Sequence, residues 1–413
     1  MIVGGGFGGL TAAKRLRGVK AQITLIDRSN HHLFQPLLYQ IATATLSPAD
    51  VAMPIRHILR KQRNLEVVMA EVTGIDAGAK LVKTKETAPV AYDYLILATG
   101  ATHSYFGHPE WERFARGLKT VADATFLRSE ILDAFEVAER GTDEQERAVL
   151  LTFILVGAGP TGVEMAGAIS EISKRAMLGE FRHIHPESAR IILIEGGPRV
   201  LPAYDPSLSE KARLSLEKKG VDVRLNTMVK NIDAKGVDTN KGRIDGRTVI
   251  WAAGVKASPA ASWLGADADT TGRIKIKPDL TVPGLDGVFV IGDTGYHDQD
   301  GHPLPGVAQV AIQQGKFAAE YIKAKIEGRP FERTFHYRDL GNLATIGRSS
   351  AIAQLGSLKL SGFIAWLIWL FVHIMNLVGF RAKLSVLLQW AWSYFTWGRG
   401  ARLITQAKEA DST

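Results

Sequence analysis

Ile2-Val3-Gly4-Gly5-Gly6-Phe7-Gly8-Gly9 and Ile154-Leu155-Val156-Gly157-Ala158-Gly159-Pro160-Thr161-Gly162 decide the fold, because each is an apolar run that enters GxGxxG and continues into a helix-compatible stretch. In such a loop the first glycine (Gly4, Gly157) permits the tight strand-to-helix turn. The second (Gly6, Gly159) lets backbone N–H groups approach a pyrophosphate, and the third (Gly9, Gly162) lets the helix pack closely on the strand. One loop alone is a weak signal, and the context strengthens both. Ile23-Thr24-Leu25-Ile26 ends on Asp27 after the first loop, and Ile191-Ile192-Leu193-Ile194 ends on Glu195 after the second. An acid at that place accepts hydrogen bonds from a ribose diol. Each unit then closes on a strand and a small-residue turn, Tyr94-Leu95-Ile96-Leu97-Ala98-Thr99-Gly100 and Thr248-Val249-Ile250-Trp251-Ala252-Ala253-Gly254. Gly4 to Gly100 spans 96 positions and Gly157 to Gly254 spans 97, so the chain reads as a duplicated Rossmann-like nucleotide-binding domain of the α/β class.

A chain of 413 residues with 46% hydrophobic and 22% charged content can bury two or three ordinary cores. Cysteine is absent, which excludes structural disulfides, cysteine-ligated zinc, iron–sulfur clusters and thiol redox chemistry. The net charge of +8 suits an anionic surface, but the basic residues are interspersed with acids and no helix-turn-helix or RNA-module signature accompanies them, so no nucleic-acid partner is expected. His31 and His32 are adjacent and cannot both point into one site on a regular element. His183 and His185 lack a third ligand nearby, so no metal site is expected. Only Ile2 and Val3 separate Met1 from the first loop, so either the first strand is short or the true start lies upstream.

The expected domains are 1–119 with 281–335, then 120–280, then 336–413. Glu66-Val67-Val68-Met69-Ala70-Glu71-Val72 and Ala79-Lys80-Leu81-Val82 read as strands inside the first, and 139–147 as an exposed charged turn before the second nucleotide strand. Val288-Phe289-Val290-Ile291, ending in Gly292-Asp293, has no partner left in the second unit and makes best sense as a strand that returns to complete the first.

From Leu360 to Phe380 the chain carries no charge, and five of the eight tryptophans lie between Trp366 and Trp397, flanked by Lys359, Arg381, Lys383, Arg399 and Arg402. Aromatic residues with basic flanks belong at a membrane interface. Twenty-one uncharged residues could just span a bilayer. The more basic flank and the nucleotide domains both call for the cytoplasmic side, which favours a surface-bound helical hairpin on the lipid bilayer over a single span, with a buried homodimer interface as a third use of the segment.

At this point the chain resembles the type II NADH dehydrogenases, single-subunit FAD-dependent NADH:quinone oxidoreductases with a glutathione-reductase-like architecture. Besides the loops, the resemblance rests on Asn30-His31-His32-Leu33-Phe34-Gln35-Pro36-Leu37-Leu38-Tyr39-Gln40, on Gly292-Asp293, on Ala308-Gln309-Val310-Ala311-Ile312-Gln313-Gln314-Gly315 and on the aromatic C-terminal segment, and it covers essentially the whole chain. It implies that Gly4, Gly6, Gly9, Asp27, Thr99, Gly100, Asp293 and Ala311 hold FAD, and that Gly157, Gly159, Gly162, Glu195 and Gly254 hold NADH. A carboxylate at 195 repels a 2′-phosphate, whereas Arg199 could reach one. Glu164 resembles the family's acid near the nicotinamide, and its other reading is a first-turn acid that favours the positive end of the helix dipole. Gln309 and Gln313 match the family's quinone-site glutamines, or else are ordinary helix-start polarity. Lys383 reads equally as a quinone or a lipid contact, and Tyr39 as a packing aromatic.

The implied reaction is hydride transfer from NADH to FAD and of two electrons onward to a membrane quinone, without ion pumping, at the cytoplasmic face of the cell membrane. Two alternatives need no thiol: a flavin reductase delivering electrons to a ferredoxin-like protein, and a membrane-bound flavoprotein that senses NADH.

Overall fold

A computed structural model describes residues 1–405. Contacts divide the chain into two compact units, 1–33 with 52–103 and 255–339, and 34–51 with 104–254 and the residues from 340 onward.

The first unit is built on a five-stranded parallel sheet in the order Val288–Val290, Leu95–Leu97, Ile2–Val3, Ile23–Asp27, Leu65–Met69. The short first strand suffices because Ile2 and Val3 pair on both sides, with Leu25 and Ile26 and with Ile96 and Leu97. Helices Phe7–Arg15 and Ala308–Ile326 cover the sheet through Leu10, Ala13, Phe317 and Ala318, which join Ile2, Leu25 and Ile96 in one buried cluster. The apolar run 66–72, read as one strand, is two. Ala70 N–H donates to the Asp27 carbonyl and ends the parallel sheet, and Val72–Asp76 then starts a three-stranded antiparallel sheet with Leu81–Thr84 and Val90–Ala91.

The second unit repeats the plan. Its parallel sheet runs Ala115–Gly117, Thr248–Trp251, Thr152–Val156, Arg190–Ile194, Val221–Arg224. Four strands of each sheet come in the same order, and the fifth is supplied from elsewhere in the chain: from downstream at 288–290 in the first sheet, from upstream at 115–117 in the second. The unit limits therefore fall at 103/104 and 254/255, where 119/120 and 280/281 were expected. Residues 115–117 are hydrogen-bonded into the second sheet, whereas Val255–Ala257 pairs antiparallel with Ala101–His103 of the first unit. The stretch 139–147 is a turn only at 141–143. Asp143 then caps helix Glu144–Leu150 through the N–H groups of Gln145 and Glu146.

The rest of the second unit is an antiparallel sheet, Asn342–Gly347, Ser350–Leu355 and Leu358–Gly362, followed by helices Phe363–Asn376 and Phe380–Thr396. The break at 377–379 splits the uncharged run. Among the described residues, no helix is long and apolar enough to cross a membrane. His373 and Asn376 do not need outside partners, because each donates to a carbonyl one turn back: His373 Nδ1 to Trp369 at 2.7 Å, Asn376 Nδ2 to Val372 at 2.8 Å.

Candidate active site

The two glycine loops are superimposable in their duties. Gly4 and Gly157 both have φ of +101°, which L side chains rarely adopt, and both donate their N–H at 2.8 Å to the second strand, at Ile26 and Ile194. A Cβ on Gly9 would run into the Gly4 carbonyl oxygen, and a Cβ on Gly162 into that of Gly157. At Gly6 and Gly159 a Cβ would meet nothing within 4 Å, so the face of each loop that a pyrophosphate would occupy is clear. The acids complete both cradles. Asp27 Oδ2 accepts from Gly5 N–H at 2.6 Å, and Glu195 Oε2 accepts from Ala158 N–H at 2.8 Å, so each carboxylate is locked at the mouth of its loop. Both cradles fit a dinucleotide.

In the first unit, Thr99 and Gly100 are held by Thr294, whose Oγ1 accepts from Gly100 N–H at 2.8 Å and lies 3.2 Å from Thr99 Oγ1. That places the turn beside Asp293, in the short helix Gly292–Thr294. Ala311 lies in the first turn of helix 308–326, where a Cβ on Gly292 would touch it. Two supports escaped the sequence reading. His32 donates Nδ1–H to the Gly5 carbonyl at 2.9 Å and lies edge-on to Phe7, and burial lowers its pKa to about 4, so it is a neutral prop under the loop. Gln314, fully buried, accepts from Gly292 N–H at 2.7 Å. Strand alternation was the available signal for His32, since His31 turns away to Asn30. Gln313 is tied at both ends to Arg338, donating to its carbonyl at 2.9 Å and accepting from its N–H at 3.0 Å. Gln309, one turn earlier on the same face, is half-buried.

In the second unit, Gly254 lies under the Phe106 ring. Arg199 donates to the Pro202 carbonyl at 2.8 Å. Glu164 is the fifth residue of helix Pro160–Glu171 and so lies past the first turn in which the sequence reading put it; its carboxyl is enclosed while the residue keeps some surface in an aromatic cleft. Tyr39, Trp366, Trp390 and Tyr394 line the same cleft. Burial raises the Glu164 pKa from 4.5 to about 8, against a smaller opposing pull from a Thr345 backbone hydrogen bond. The helix-dipole reading predicts the opposite sign, so desolvation wins here.

At the cleft's inner end, buried Arg399 donates to the Thr43 carbonyl at 2.7 Å and lies 3.4 Å from Glu171 Oε2. Glu171 Oε1 accepts from Lys219 at 2.9 Å and from the Arg348 N–H at 2.6 Å. Arg399 had been read only as a basic flank. Lys383 donates to the Met375 carbonyl at 2.8 Å and so caps the preceding helix.

Residues 1–315 match the family model of pyridine nucleotide-disulphide oxidoreductases, and residues 340–399 match the NDH2 C-terminal domain. The chain is similar to two type II NADH:quinone oxidoreductases of Mycobacterium tuberculosis. Identity to Ndh is 45% over 419 residues, covering 98% of this chain and 90% of that protein, and to NdhA 46% over 421 residues, covering 98% and 89%. Among solved structures, NDH2 from Plasmodium falciparum in complex with NADH superposes with a TM-score of 0.86 at 19% identity, covering 98% of this chain and 99% of that one.

Proposed function

The chain belongs to the type II NADH:quinone oxidoreductases, and from that membership we propose which residues carry each part of its reaction, the transfer of electrons from NADH through FAD to a quinone without ion pumping. Bound FAD supplies the chemistry, accepting hydride and passing two electrons on. The loop of Gly4, Gly6 and Gly9, with Asp27, Thr99, Gly100, Asp293 and Ala311, holds FAD. The loop of Gly157, Gly159 and Gly162, with Glu195 and Gly254, holds NADH. Residues 1–33, 52–103 and 255–339 form the flavin domain, 104–254 the NADH domain, and residues 34–51 with 340–405 the quinone and membrane region.

The observation that carries this reading is Glu164, which stands two residues from Gly162 and also lines the aromatic cleft. The cleft takes the quinone ring between indoles and phenols, and Glu164 holds a proton there at neutral pH. Gln309 donates to a quinone carbonyl, while Gln313 does so only after leaving Arg338. Anaerobic mixing tests the assignment: NADH bleaches the flavin and a short-chain quinone restores it within catalytic time, and a flavin that stays reduced with quinone present sinks it.

Because the Glu164 pKa is raised on folding, its contribution to stability is fully present below about 4.5 and is lost as pH rises through about 8. Glu164→Gln keeps the neutral form throughout. The wild-type Tm is therefore expected to fall more steeply than that of the variant between about pH 4.5 and 8, and quinone turnover of the wild type to hold up to about pH 8 and decline above it. Parallel Tm curves would remove Glu164 from this role.

The outer face of the last two helices presents Phe371, Phe380, Trp392 and Phe395, the second and fourth 80% and 79% exposed. Such a patch with basic flanks suits an anionic lipid surface, on the cytoplasmic side where NADH is made available. Replacing Phe371, Trp392 and Phe395 together by glutamate is expected to abolish co-sedimentation with anionic vesicles while NADH still bleaches the flavin. Unchanged sedimentation, or a dimer that hides this face in solution, would count against lipid contact.

A further inference from the structure

A chain of hydrogen bonds joins the last helix to the cleft. Trp390 donates its indole N–H to Gln40 Oε1 at 2.7 Å, and Gln40 Nε2 donates to the Tyr39 hydroxyl oxygen at 2.8 Å. Its direction is fixed by chemistry. An indole N–H can only donate, so it must meet the amide oxygen of Gln40, and the amide nitrogen is then obliged to face Tyr39. Since that NH2 group is itself a donor, the phenol accepts from it and its own proton points elsewhere. Among the described residues the phenol proton has no acceptor within hydrogen-bond distance, although Tyr39 and Gln40 are only 6% exposed. Tyr39 lines the cleft, as does Glu164. A buried hydroxyl with a spare proton, held in one orientation by an amide that is itself anchored, is costly to maintain for packing alone.

We propose that Gln40 is a positioning residue for quinone reduction, holding the Tyr39 hydroxyl with its proton directed into the cleft, where it is handed to a quinone oxygen and replaced from Glu164. The inference rests on the cleft being the quinone site. The balance is that of the known reaction. NADH supplies two electrons and one proton as hydride and becomes NAD+, solvent supplies the second proton, and the quinone gains two electrons and two protons. Tyr39 and Glu164 only relay the solvent proton, each ending the cycle as it began. The groups that face Glu164 across the cleft and its wall are Tyr39, Tyr204, Glu171, Arg348 and Arg399. The Glu164 charge acts on Tyr39 and on Tyr204, and burial together with that charge holds the Tyr39 phenol protonated far above neutral pH.

The test uses the full-length flavin-loaded enzyme. Gln40→Met keeps the side-chain length but neither accepts from Trp390 strongly nor donates to Tyr39. It is expected to lower kcat with a short-chain quinone about tenfold, leave the quinone KM within about twofold, and leave the rate of flavin bleaching by NADH unchanged. Tyr39→Phe should do the same, and the double variant should be no slower than Tyr39→Phe, because both act on one proton. In each variant kcat should fall steadily with rising pH from about 6, where the wild type stays flat to about 8, since buffer or solvent must now deliver the proton. Should Gln40→Met fold poorly, Trp390→Phe removes only the outer anchor and should lower kcat in the same direction by a smaller factor. Wild-type kcat in Gln40→Met, or losses that multiply in the double variant, overturn the proposal. Trp366→Ala separates the two levels. If it leaves the quinone KM untouched, the cleft is not the quinone site, and if it raises KM while Gln40→Met is neutral, only the role of Gln40 fails.

Discussion

Gly162→Val is expected to yield a yellow protein that NADH no longer bleaches. A Cβ at 162 would lie on the Gly157 carbonyl oxygen, and both atoms belong to backbone, so neither can swing aside. Helix 160–171 must lift from strand 152–156, carrying with it the N–H groups that face the dinucleotide. A displacement of about 1 Å at a positioned reactant costs on the order of a hundredfold in rate, and a larger shift costs more. The flavin remains because the first unit has its own loop, in which Gly9 meets Gly4 in the same way. Gly9→Val is the mirror experiment and is expected to give colourless protein. Flavin absorbance of the purified variants and stopped-flow bleaching check both. A colourless Gly162→Val with a yellow Gly9→Val would mean that the loops are assigned in reverse, and normal bleaching in Gly162→Val would take the NADH site away from this loop.

Arg399→Ala is expected to destabilise the second unit by about 3 kcal/mol, the scale for removing one partner of a buried ion pair. The side chains of Arg399 and Glu171 are only 6% and 13% exposed. Truncation leaves Thr43 without its donor and Glu171 with one fewer countercharge, though Lys219 still holds it. For a domain of this size such a loss lowers Tm by roughly 6 to 12 °C. Arg402 provides the internal control. It pairs in a fork with Glu180 at 2.6 and 2.8 Å, but Glu180 is 46% exposed, so Arg402→Ala should cost less than about 1 kcal/mol. Arg399→Lys keeps the charge without the fork that serves Thr43 and Glu171 together, and should recover less than half of the loss. Equal Tm shifts for Arg399→Ala and Arg402→Ala would show that the buried cluster contributes nothing special.

What could be read from the sequence was local. The glycine loops were legible because the duties of Gly4 and Gly9, or Gly157 and Gly162, are settled within six residues, and the acids Asp27 and Glu195 follow at the end of the next strand. The return of 288–290 was legible because an apolar strand without a partner must find one. The cleft was less so. Glu164 could be placed at a helix start, but the sign of its pKa shift depends on Thr345 and on enclosure by segments far along the chain. Tyr39 read as packing because its partner Gln40 is anchored by Trp390, 350 residues away. Arg399 read as a membrane flank because nothing near it in sequence announces Thr43 or Glu171. His373 and Asn376 fit on an apolar helix because each donates to a carbonyl one turn back, which composition does not announce.

The fifth strand of each parallel sheet has a consequence for synthesis on the ribosome. The second sheet needs nothing after Trp251, whereas the first, begun at Ile2, stays open at Leu95–Leu97 until Val288–Val290 has been made. At roughly 5 to 20 residues per second the nascent chain carries that bare apolar edge for roughly 10 to 40 s, a window in which it can pair with a neighbour. The later glycine loop is thus ready first, and the flavin's own cradle closes only once Val288–Val290 has been made.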